Sequence, residues 1–231
     1  MKTNRLFLKA FRTTLPVMAG YVVLGTGFGM VLSSKGYGLL WALAMSVFIY
    51  AGSMQFVAVN LLTGGTSLLT VAVTTLLVNA RHLFYGISMV DRYRNTGRKK
   101  PYLIFALTDE TYSLLSTVRS PLNPEEQSFF YFCVSLLNQC YWITGSVLGS
   151  LLGNIVPFDT RGIDFSLTAL FLTIAVDQWR SGKHHLFSVL GLVISLTCLL
   201  IFGPENFLIP SMAVILAAVF PARRWEAGKD E

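Results

Sequence analysis

Eight blocks of apolar residues, most of them near bilayer-spanning length, occupy almost all of this 231-residue chain. They run over about 15–32, 38–62, 67–90, 101–118, 128–152, 163–179, 185–202 and 207–220. A helix needs about 20 apolar residues to cross a hydrocarbon core, and lipid leaves no backbone polar group to water, so helices are the natural solution. Only 13% of residues are charged, against about 25% in ordinary soluble domains. The expected fold is therefore an all-α integral membrane protein. A basic amphipathic N-terminus (1–14) precedes a single polytopic domain (15–220), and a short charged tail (221–231) comes last. The N-terminus lacks the short apolar core and cleavage site of a secretory signal. The net charge of +6 does not point to nucleic acid, because the basic residues sit in short clusters between apolar blocks.

Those clusters suggest an orientation. Lys2, Arg5, Lys9 and Arg12 lie before segment one, and Arg92, Arg94, Arg98, Lys99 and Lys100 after segment three. Arg180 and Lys183 come after segment six, and Arg223 and Arg224 lie in the tail. By the positive-inside rule all four are cytoplasmic, both termini included. Simple alternation would put the most basic loop outside. The conflict disappears if segments two and six are broken or re-entrant, leaving six full crossings. Segment two carries Ala51-Gly52-Ser53 at its centre, and segment six is short and ends in Asp177-Gln178. Tyr21, Gly25 and Gly29 in segment one are echoed by Tyr141, Gly145 and Gly149 in segment five. In the six-crossing scheme these helices run oppositely, as in an inverted repeat. The competing reading is chance, since small-xxx-small runs are common in membrane helices.

The polar residues inside the apolar blocks are the candidates for chemistry. Asn79, Arg81 and His82 interrupt segment three, about 13–14 Å of helix from its charged end at Asp91. A cation at that depth costs about 2.5–3.5 kcal/mol on insertion scales and needs a protein or aqueous partner. Asn79, His82 and Tyr85 share a helix face, with Arg81 rotated about 160° from Asn79. Thr108, Asp109 and Glu110 interrupt segment four; one carboxylate is a natural partner for Arg81 and the other could carry a proton. Ser53 and Gln55 flank the expected break in segment two, as substrate ligands or as an interhelical clasp. Asn138 and Gln139 in segment five, and Asp177 and Gln178 in segment six, are weaker versions. His184 and His185 read as interfacial. Cys133, Cys140 and Cys198 have no CxxC pairing and read as packing residues. No metal-ligand set, cofactor fingerprint or hydrolase motif is present, so a transporter is expected rather than an enzyme.

YAGSMQF at 50–56, NARHLFYG at 79–86, TDETYS at 108–113 and the glycine-rich 20–29 resemble the AzlC family. That resemblance, over about 15–179, implies a subunit of a bacterial branched-chain amino acid exporter in the inner membrane. It also implies a small hydrophobic AzlD-type partner and valine, leucine or isoleucine as substrate. An amino acid needs a site for its carboxylate (Arg81 or broken-helix amides), a site for its ammonium (Asp109 or Glu110) and an apolar pocket. Met54, Phe56, Leu83 and Phe84 are candidates for the last. Proton coupling through His82 or a carboxylate is a further expectation. The alternatives are a channel or scaffold subunit whose buried charges are structural, and, more weakly, an intramembrane enzyme.

Overall fold

The computed structural model describes residues 2–117, 122–155 and 185–207, with isolated positions between 172 and 180 and between 210 and 218. Regular structure among the described residues is helical: α1 Lys2–Ser34, α2 Leu39–Phe48, α3 Gly52–Thr63, α4 Leu68–Met89, α5 Lys100–Phe105, α6 Asp109–Thr117, α7 Pro124–Ile155 and α8 Leu186–Asn206. Two compact units emerge, one of residues 1–66 and 78–167, the other of 67–77 and 168–231. In the second unit α8 is helical to Gly203, where a φ of 73° kinks it. Most of segment six, with Asp177 and Gln178, lies outside the described residues. Two described helices, at 3–34 and 68–89, are long and apolar enough to cross a bilayer.

The first unit has the pair α1 and α7 as its axis, and they meet along their glycine stripes. A Cβ on Gly25 would lie 3.1 Å from the Gly145 Cα, and one on Gly149 would lie 2.7 Å from the Thr26 Cα. Any side chain at these positions would separate the two backbones, so the small-residue face is what allows the close approach. The register runs in one direction: Gly25 meets Gly145, Gly29 meets Gly149, and Gly153 reaches Met30 and Ser33. The two helices are therefore parallel. The expected opposite directions of segments one and five, and the inverted relation between their glycine stripes, do not hold.

The reason lies in segment four. The start of α1, the basic loop and the start of α7 share one end of the unit, where Thr3, Leu6, Asn95, Arg98, Glu125 and Phe129 line one cleft. Ser128 there donates to the Thr96 carbonyl at 3.3 Å, and the Lys99 ammonium stands 5.2 Å from the Phe129 ring centre. α5 begins at this end, at Lys100. α6 finishes there too, because Arg92 donates to the Leu115 carbonyl at 2.5 Å and to that of Ser116 at 2.9 Å. A guanidinium on the last carbonyls of a helix satisfies acceptors that have no intrahelical donor. Segment four, expected as one crossing helix, is thus a helical hairpin whose two ends lie together. Its break at Ala106-Leu107-Thr108 is fully covered, with exposures of 0, 3 and 7%.

Segment two is broken where its sequence suggested. α2 ends at Phe48 and α3 begins at Gly52. Tyr50 between them has φ 44°, a left-handed conformation that a bulky residue adopts only when its surroundings impose it. α3 runs back in the direction of α1: Ser53 lies at the level of the Arg81 cluster and Phe56 meets Phe28 at 5.6 Å. α2–α3 is thus a hairpin entering from the end opposite to α5–α6. Side chains stand in for the missing helical bonds. Gln139 donates to the Val47 carbonyl at 3.2 Å and accepts from the Tyr102 hydroxyl at 2.8 Å, tying the end of α2 to α5. Gly52 is seated 3.1 Å, measured from an added Cβ, from the Trp142 ring.

Substitution and labelling test this arrangement. Gly149→Ala should destabilise the protein by about 1–3 kcal/mol, the usual cost of overpacking, whereas Gly20→Ala, with open space around it, should not; equal melting temperatures would contradict the parallel packing. Cysteines at the exposed positions Arg98 and Asn123, before and after α5–α6, should react with an impermeant maleimide from the same side of the membrane. Labelling from opposite sides would show that segment four crosses.

Candidate functional site

Both helix breaks converge on Arg81. Its Nη1 donates to Asp109 Oδ2 at 2.5 Å, and its Nη2 donates to Ser53 Oγ. Asp109 is the first residue of α6 and Ser53 the second of α3, so one guanidinium ties the N-termini of two broken helices. The expected pairing of Arg81 with a segment-four carboxylate is thus present geometrically. The pair is 32% and 22% exposed, so it is reachable from outside the unit.

The sequence builds α6 at this spot through an N-cap. Thr108 Oγ1 accepts from the Thr111 amide at 3.3 Å, the side-chain bond that caps a helix start. Asp109 and Glu110 then occupy the first turn, where the helix dipole favours negative charge. Thr-Asp-Glu is therefore a helix beginning as well as a pair of acids. That capping signal marks the break in segment four, which hydropathy alone reads as one crossing.

Glu110 is held apart from the ion pair. The Tyr21 hydroxyl donates to its Oε2 at 2.6 Å and contacts Thr108 Oγ1 at 2.7 Å. Thr108 and Thr111 hydroxyls are 3.0 Å apart, and Asn138 Nδ2 donates to Thr111 Oγ1 at 3.0 Å. Asn138 therefore belongs to the site's polar network. Gln55 does not: wholly buried, it donates to Ser46 Oγ at 3.4 Å and accepts from Trp142 Nε1 at 2.9 Å, as an interhelical clasp. Tyr21 and Thr111 are members of the network that sequence reasoning missed. The sequence marks Tyr21 only as part of the glycine echo, and its hydroxyl reaches the site because α1 passes beside α6.

His82 and Tyr85 lie on the neighbouring face of α4. His82 Nδ1 is 3.3 Å from the Asn79 carbonyl and its ring is 5.9 Å from that of Tyr85. Tyr85 stacks on Tyr112 of α6 at 4.6 Å. The two nitrogens of Arg81 that are engaged go to Asp109 and Ser53, not to His82. Asn79 Oδ1 is buried without a partner among the described residues. Of the expected apolar lining, Met54 and Phe56 are buried in the unit's own packing, and Leu83 is 65% exposed.

Several buried polar atoms in this region lack a hydrogen-bond partner among the described residues. They include Arg81 Nε, Asp109 Oδ1, Asn79 Oδ1, Asn138 Oδ1 and the Tyr50 hydroxyl.

The comparison with known proteins agrees with the motifs. The model of the AzlC protein family matches residues 16–156, a range that holds Tyr21, Ser53, Arg81, Asp109, Glu110 and Asn138. The chain belongs to the AzlC family. It is 44% identical over 218 residues to the branched-chain amino acid transport protein AzlC of Bacillus subtilis, covering 94% of this chain and 85% of that one. It is 43% identical to an uncharacterized membrane protein of Helicobacter pylori, covering 94% and 97%. The inner membrane protein YgaZ of Escherichia coli is 26% identical, covering 97% and 94%. No solved structure matches the chain. The chain is thus a membrane protein of a transport family.

Removing one member of the ion pair strands the other. Asp109→Asn or Arg81→Met alone should lower stability by about 1–3 kcal/mol, whereas Arg81→Met combined with Asp109→Leu should recover part of that loss, because no unpaired charge remains. Detergent melting curves of the three variants measure this. Additive losses would mean that the two side chains are not coupled.

Proposed function

We propose that this protein exports branched-chain amino acids, valine, leucine, isoleucine or close analogues, across the bacterial inner membrane by secondary transport. In this reading it acts with a small hydrophobic AzlD-type subunit, its basic clusters and both termini are cytoplasmic, and export is coupled to protons. The single observation that carries the reading is the convergence of two helix breaks on the Arg81–Asp109 pair. Secondary transporters build their sites from broken helices at membrane depth, where half-helix N-termini present free amides to anionic groups. The B. subtilis relative's description as a branched-chain amino acid transport protein supplies the substrate class.

The chemistry fits an α-amino acid. Arg81 Nε has no partner among the described residues. The first three amides of α3, at Gly52, Ser53 and Met54, have no acceptor within the helix. Together they offer a cradle for the substrate carboxylate. Asp109 Oδ1 is the matching acceptor for the ammonium. The zwitterion would thus engage valences that the ion pair leaves unspent, without breaking the pair.

Asp109→Asn keeps size and removes charge, so leucine efflux should collapse while the protein still inserts. Arg81→Lys keeps charge but loses the planar fork and should weaken efflux. Cells carrying either variant should stay sensitive to excess valine or to a toxic leucine analogue. Unchanged efflux in both, at normal membrane levels, would return the pair to a structural role.

A further inference from the structure

Glu110 sits beside the substrate site and has no role in holding the zwitterion. Among the described residues no cation lies within ion-pair distance of it, since both Nη atoms of Arg81 are committed to Asp109 and Ser53. Its carboxylate instead accepts from the Tyr21 hydroxyl. From there an unbroken line of hydroxyls runs through Thr108 and Thr111 to Asn138, from α1 through α6 to α7. Tyr21, Thr108, Thr111 and Asn138 are all at most 7% exposed. The titratable and charged groups facing Glu110 are Asp109 on its own helix, Tyr21 on α1, Tyr50 at the α2–α3 break, and Arg81 and Tyr85 on α4. α7 presents the neutral Asn138.

Each hydroxyl along this line has one proton to donate. When Glu110 is ionised, Tyr21 donates to it, and Thr108 and the Asn138 amide nitrogen both donate to Thr111, so the 2.7 Å contact between Tyr21 and Thr108 is left without a proton. When Glu110 is protonated it donates to Tyr21, Tyr21 to Thr108, and Thr108 to Thr111. The Thr111 proton then needs an acceptor. Asn138 Oδ1, buried and without a partner among the described residues, supplies one if the amide turns over. The protonated form therefore gives every contact along the line a donor, and the change between forms consists of hydroxyl rotations and one amide turn.

We propose that Glu110 is the proton-loading carboxylate of this transporter, and that the chain Tyr21–Thr108–Thr111–Asn138 completes its hydrogen bonding when Glu110 is protonated. The proposal rests on the transport reading. One proton from the aqueous phase binds a Glu110 oxygen and later leaves from it. The hydroxyl protons only reorient, and none is transferred. Thr108 caps α6, whose next residue is Asp109, so reorienting the hydroxyls acts on the element that holds the ammonium ligand. His82 is thereby relieved of the carrier role.

Liposomes containing the full chain together with its small hydrophobic AzlD-type subunit separate proton coupling from substrate exchange. Labelled-leucine counterflow measures exchange. Leucine uptake driven by an imposed pH gradient, with a trapped pH-sensitive dye, measures coupling. Glu110→Gln should keep counterflow and lose both gradient-driven uptake and the dye response, whereas Glu110→Asp should retain them. Tyr21→Phe should shift the pH dependence of coupled uptake, and it decides the matter if the glutamine variant fails to insert. Coupled proton movement in Glu110→Gln, or uptake driven by a sodium gradient and not by a proton gradient, would overturn the proposal. So would a folded Glu110→Gln protein without counterflow, since Glu110 would then belong to substrate binding. Absent counterflow in the unsubstituted protein would instead overturn the transport reading on which the proposal stands.

Discussion

Backbone amides and carbonyls in hydrocarbon must find partners within the protein, and this requirement organises the first unit. A continuous helix meets it by itself. α2–α3 and α5–α6 do not, because each is interrupted in covered surroundings. Their breaks survive because other elements supply the missing partners: Gln139 on the Val47 carbonyl, Arg92 on the last carbonyls of α6, and Thr108 on the Thr111 amide. The parallel α1–α7 pair is the frame that brings these side chains into reach. Its glycines let the backbones touch, and so place Tyr21 and Trp142 beside both breaks.

A consequence is that the same residues hold the fold together and form the candidate site. Arg81 is anchored on Asp109 and Ser53, and would be costly to leave alone at that depth. That anchoring also fixes the positions of its unspent Nε and of Asp109 Oδ1. Gln55, by contrast, bonds Ser46 and Trp142 and ties helices together.

Much of the fold is legible in the sequence. The helical class, the break at Gly52 and the Arg81–acid pairing come from hydropathy, from a glycine at a segment centre and from the cost of a lone buried cation. The return of segment four is not, because hydropathy averages over the Ala106-Leu107-Thr108 break, though the Thr108 cap with acids in the next turn signals a helix start. That omission also reversed the expected relation of segments one and five. Tyr21 could not be assigned from sequence, since its role depends on α1 lying against α6.

A free α-amino acid recognised by both its charges, where the two helix breaks meet, is the central claim. Calorimetric titration of the purified protein with leucine, leucinamide and 4-methylpentanoate tests it most directly. The three share one apolar side chain, and the second lacks the carboxylate while the third lacks the ammonium. Saturable binding of leucine alone is the predicted result. Binding of all three with similar affinity would contradict it.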